Sequence, residues 1–91
     1  MILRNYMEEV VDRTIGEILA PRDDICKCER CILDIKALAL NNLPPKYVVT
    51  DMGYVYTKVN ELESQFKADI TVAVTNAMKI IRKNPRHGEE G

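Results

Sequence analysis

Three cysteines, Cys26, Cys28 and Cys31, fall within six consecutive positions of a 91-residue chain. Three is an odd number for a disulfide framework, and thiolates are soft ligands that suit zinc. The Cys28-x-x-Cys31 interval is the spacing whose turn directs both sulfurs at one ion, so the chemistry this cluster favours is zinc binding. A structural zinc takes four ligands in a tetrahedron, which leaves one position beyond the three thiols. His87, the single histidine of the chain, is the first candidate for it. Asp34, a water or a group from another subunit are the others. The plainer alternative places Cys31 on the buried face of a helix, with Cys26 and Cys28 as ordinary exposed thiols.

A catalytic zinc keeps an open water position, which three cysteines imitate superficially. Three thiolates, however, neutralise the ion and blunt its Lewis acidity. The chain holds no G-x-S-x-G, no pair of histidines for a metal and no His-x-Glu of the zinc deaminases. The expected role of the metal is therefore structural, and no enzyme is expected. Cations and aromatic rings form a second set of candidates, for an anionic ligand. Arg30 lies inside the cysteine cluster, Lys46 and Tyr47 follow two prolines, and Arg82, Lys83 and Arg86 make a basic end to the last helix. Tyr54 and Tyr56 are rings on which a purine could stack. Each has an ordinary structural explanation as well. Cations at a helix C-terminus complement its dipole, and tyrosines in a connector pack against their neighbours.

The elements that position these groups can be read from periodicity. Ile2, Leu3, Tyr6, Met7, Val10, Val11, Ile15, Ile18 and Leu19 recur at helical spacing, predicting an amphipathic helix over 2–19 that Pro21 stops. Gly16 weakens it or admits a close neighbour. Ile32, Ile35, Leu38 and Ala39 predict a second helix that begins near Cys28 or Cys31 and runs to about Asn41, ended by Pro44 and Pro45. Tyr47-Val48-Val49 and Tyr54-Val55-Tyr56 favour strands, but a lone hairpin is marginal, so 47–56 is expected to be a structured connector. Thr57 is the expected N-cap of a long third helix whose stripe is Val59, Leu62, Phe66, Ile70, Ala73, Ala77, Ile80 and Ile81, ended by Pro85.

At about 1.5 Å per residue that helix would be roughly 39 Å long, more than a small globule can cover. Its uncovered face calls for a second copy about a two-fold axis, or else the helix breaks into two pieces inside one monomer. The composition, 46% hydrophobic and 30% charged, is that of a globular domain, expected to be one unit over 1–91. Thirteen basic and fourteen acidic residues leave a net charge of −1, without the surplus of a general nucleic-acid binder. With no apolar run resembling a leader or membrane span, the chain is expected to stay in the cytoplasm.

The run Cys26-x-Cys28-x-x-Cys31-x-x-Asp34-Ile35-x-Ala37-Leu38-Ala39-Leu40-Asn41-x-Leu43-Pro44-Pro45-x-Tyr47 strongly resembles the signature of the late competence development protein ComFB family of bacteria. Val48, Tyr56-Thr57-Lys58 and Asn84-Pro85-Arg86 also look like that family. The resemblance implies a small helical homodimer with zinc near the cysteines and a regulatory role. Some members have a further cysteine shortly after the Pro-Arg pair that completes the metal site; here it is absent, and His87 stands nearby. The family also implies links to competence and, in cyanobacterial members, to cyclic dinucleotides, pili and motility. The expectation is thus an all-α, zinc-stabilised homodimer. It would act as a cyclic dinucleotide receptor (c-di-GMP or c-di-AMP) through Arg30, Lys46, Tyr47, Arg82 and Arg86. The alternative is a protein-interaction adaptor that binds no nucleotide.

Overall fold

The computed structural model describes residues 1–50 and 55–84. Its elements run β1 (Ile2–Asn5), α1 (Tyr6–Leu19), α2 (Glu29–Asn41), β2 (Tyr47–Thr50) and α3 (Val55–Lys83). The three helices are as expected, but the fold is not purely helical, because β1 and β2 form a small antiparallel sheet. Leu3 stands opposite Val49 and Asn5 opposite Tyr47.

The first helix begins at Tyr6, not at Ile2, because Asn5 has extended dihedrals and its side chain caps α1 by accepting from the Met7 N–H. The same Asn5 oxygen accepts the Lys46 N–H at 2.8 Å, and the Tyr6 N–H donates to the Lys46 carbonyl at 2.9 Å. One residue thus ends a strand, starts a helix and fixes the incoming chain before β2. Residues 47–50, expected to be connector, are a strand because their partner is the distant N-terminal segment. At the far end α1 stops at Leu19, although Ala20 keeps right-handed helical dihedrals in front of Pro21. The missing N–H of Pro21, not the conformation of the preceding residue, ends the ladder.

The core is mostly aliphatic, with Tyr6 its one fully buried aromatic among the described residues. Tyr6, Met7, Val10, Val11, Ile15 and Leu19 of α1 meet Cys31, Ile35 and Ala39 of α2 and Val59, Ile70, Val74, Ala77, Met78 and Ile81 of α3. Burying each large member stabilises the fold by about 1.5–3 kcal/mol relative to leaving it exposed. Ile80, expected in this stripe, is instead 51% exposed, while Val74 and Met78 take core positions. Gly16 has open space where a side chain would go, so no neighbour approaches closely there.

The long third helix is present with 29 residues, but Phe66 departs from helical geometry (φ −115°, ψ 20°) and bends it. Its start at Val55 puts Thr57 inside the first turns and not at the cap. The bend is the two-piece arrangement that the helix length left open. The part after it supplies most of the α3 core residues, and the part before it adds Val59 and lies beside α1, where Arg13 donates to Asn60 at 2.7 Å.

Candidate metal centre

Cys28 is the N-cap of α2: its dihedrals are extended and its Sγ accepts the Cys31 N–H at 3.4 Å. Cys31 sits in the first turn with its side chain fully buried, Cys28 is half-buried and Cys26 is exposed. This burial order is also that of the plainer alternative. What separates the two is the sulfurs, because all three Sγ atoms lie within 4.8 Å of one another. In a tetrahedral zinc site with Zn–S near 2.3 Å, sulfurs stand roughly 3.8 Å apart, so a contraction of about 1 Å at most would seat an ion. The donor set therefore fits a metal. The Cys31 N–H holds the Cys28 thiol below its ordinary pKa of 9.0. Burial pushes the Cys31 thiol up to about 12, so a cation that supplies positive charge there would displace its proton.

The loop carrying the cysteines is pinned from two sides. Asp24 accepts from Arg22 at 2.7 Å and from Arg82, near the end of α3, at 2.8 Å. Ile25 is buried in the core beside it. The two guanidinium contacts, the Arg22 one first, hold the Asp24 carboxyl well below the ordinary carboxylate range. Nothing in the sequence marked Asp24 as this anchor, since it reads as one more residue of a polar link.

The other expected site residues are distributed as follows. Arg30 lies 3.9 Å from Asp34, one turn along α2, so the carboxylate considered as a fourth ligand faces a guanidinium. Lys46 holds its Nζ 4.5 Å above the Phe66 ring, at the bend of α3. Tyr47, on β2, is 65% exposed. Lys46 thus sits at the start of α1 and Arg82 just past its end, with about 21 Å of helix between them. Within one chain these cations do not form one site. Tyr54, Arg86 and His87 lie outside the described residues.

A groove of about 780 Å³ runs between the end of α2 and α3, lined among others by Leu43, Pro44, Asp69, Val72, Lys79 and Ile80. Val72 and Ile80 are more than half exposed, on the side of α3 away from the core. Periodicity gave no warning of it, because these positions read as the polar face or as core. No helix among the described residues is long and apolar enough to cross a membrane.

Comparison with known proteins agrees with this arrangement. The chain is 27% identical over 79 residues to Competence protein ComFB of Bacillus subtilis (strain 168), covering 87% of the chain and 76% of that relative. It superposes on the solved structure of the late competence protein ComFB from Bacillus subtilis with a TM-score of 0.76, at 26% identity and 92% coverage of both chains. The family described as Late competence development protein ComFB matches residues 4–85, and the chain belongs to it.

Proposed function

We propose that this protein is a zinc-stabilised homodimeric regulator of competence that binds a ligand or partner and catalyses no reaction. Cys26, Cys28 and Cys31 hold the ion, and its contribution is to fix the start of α2 against α1 and the end of α3. His87 is the fourth ligand of this reading. Arg82, five residues earlier, touches the loop of the cysteines, and five residues of chain span up to roughly 17 Å.

The observation that carries the dimer is the outer face of α3. Asp69 and Lys79 stand five residues either side of Val74, and Val72 and Asn76 two either side. An antiparallel second copy centred at Val74 sets each Asp69 against the Lys79 of the other copy and covers Val72 and Ile80. The same pairing puts Phe66, with Lys46 above it, at the level of the other copy's Arg82. Lys46 of one copy and Arg82 of the other then approach each other at two equivalent places, about 24 Å apart along the paired helices, and each place suits a phosphate group. On this reading Arg30, Lys46, Tyr47, Arg82 and Arg86 serve a cyclic dinucleotide, c-di-GMP or c-di-AMP, and couple it to competence or pilus functions.

The engagement of Arg82 with Asp24 and of Arg30 with Asp34 favours a second reading, an adaptor that binds protein through the apolar groove and takes no nucleotide. Calorimetry separates the two. Heat of binding with either cyclic dinucleotide, lost in Lys46→Ala and Arg82→Ala, supports the receptor. No heat with either, well above tens of micromolar, leaves the adaptor.

A further inference from the structure

Cys28 and Cys31 differ in a way that metal binding alone does not require. Both belong to the opening turn of α2, Cys28 as its cap and Cys31 three residues on, and the Cys28 Sγ already lies 3.4 Å from the Cys31 nitrogen. Cys28 is half-buried and within reach of solvent, whereas Cys31 has no exposed surface. An accessible sulfur beside a shielded one, at C-x-x-C spacing on a helix start, is the arrangement of a reversible dithiol. Cys26 lies outside this turn, and a bridge from it to Cys28 would have to close across the single residue Lys27.

We propose that Cys28 and Cys31 form a reversible disulfide on exposure to hydrogen peroxide, ejecting the metal and leaving Cys26 as the one remaining thiol. The Cys28 sulfur attacks one peroxide oxygen; the O–O bond breaks and the sulfur becomes a sulfenic acid, while the departing oxygen takes a proton and leaves as water. The Cys31 sulfur then attacks the Cys28 sulfur; an S–S bond forms, the S–O bond breaks, and the hydroxide takes a second proton to leave as water. Two sulfurs lose two electrons and the two peroxide oxygens gain them. With two of its three thiolates gone, the site can no longer hold a divalent cation, which departs unchanged in charge. A reducing cytosol makes this a transient state and not a structural bridge.

The metal-release part rests on the zinc reading; the disulfide does not. The test treats the full chain as purified, and in parallel the chelator-stripped chain, with a few equivalents of hydrogen peroxide. Thiols are counted, zinc is followed with a chromogenic chelator, and the bridge is located by mass mapping. The expected result is loss of two thiols per chain, a Cys28–Cys31 bridge in wild type and in Cys26→Ser, zinc released in step with it, and recovery of all three thiols with dithiothreitol. A bridge in protein that carries no metal as purified, before any chelator, supports the proposal while refuting the zinc site. Bound zinc with thiols that survive peroxide overturns the proposal and leaves the zinc site standing. Irreversible acids at Cys26 without a bridge, a Cys26–Cys28 bridge, or cross-linked chains alone also overturn it.

Discussion

Single side chains at junctions carry much of this structure. Asn5 serves the Met7 N–H and the Lys46 N–H with one oxygen, so it links the start of α1 to the entry of β2. Asn5→Ala removes a helix cap, typically about 1 kcal/mol, and leaves a second donor without its partner, about 1–3 kcal/mol more. A drop of about 2–4 kcal/mol in the stability read from urea unfolding is expected. Asp24 contributes differently, through charge. Its folded pKa lies below the ordinary value of 3.8, so its contacts are fully present above that value and fade as acid protonates the folded state. In chelator, where the metal cannot mask the effect, the stability gap between wild type and Asp24→Asn should be constant from neutral pH to about pH 5 and close below pH 4. Because Asp24 is exposed, the gap should be modest. The cysteine spacing was legible because ligand sets are local in sequence. The anchoring by Asp24 was not, since its partner Arg82 lies 58 residues away.

Among the elements, α2 has the same bounds in sequence and structure, because the signals that bound it, Cys28 and the Pro44-Pro45 pair, lie close to its ends. Helical periodicity extends over β1 as well. Ile2 and Leu3 satisfy a helical stripe as well as a strand, and only Asn5 followed three residues on by Glu8, a capping pattern, marks the true start. The strand at Tyr47–Thr50 had the right residues but no neighbour in sequence to pair with, and its actual partner is more than forty residues away. The bend at Phe66 carries no proline or glycine to announce it. Exposed helical glycine is the one element-level weakness visible from both sequence and structure. Gly16 is exposed and has open space for a methyl group, so Gly16→Ala should stabilise the protein by about 0.5–1 kcal/mol. A raised urea midpoint with an unchanged slope is the expected readout.

At the scale of the whole molecule, a bent α3 divides its work between two faces. One closes the core with Ile70, Val74, Ala77, Met78 and Ile81, and the other presents Asp69, Val72, Asn76 and Lys79. Length alone suggested an uncovered helix, but the bend accommodates much of that length within one chain. The case for a second copy therefore moves to the charge pattern of the outer face. If two copies meet there, Lys79→Asp should halve the molar mass measured by light scattering, and adding Asp69→Lys should restore the dimer with the charges exchanged. The metal reading is tested most directly by elemental analysis of the protein as purified, beside a variant with Cys26, Cys28 and Cys31 all replaced by serine. About one zinc per chain in the wild type is predicted, absent from the variant along with part of its thermal stability. A wild-type chain free of metal, with a melting temperature and helicity the variant reproduces, would contradict it.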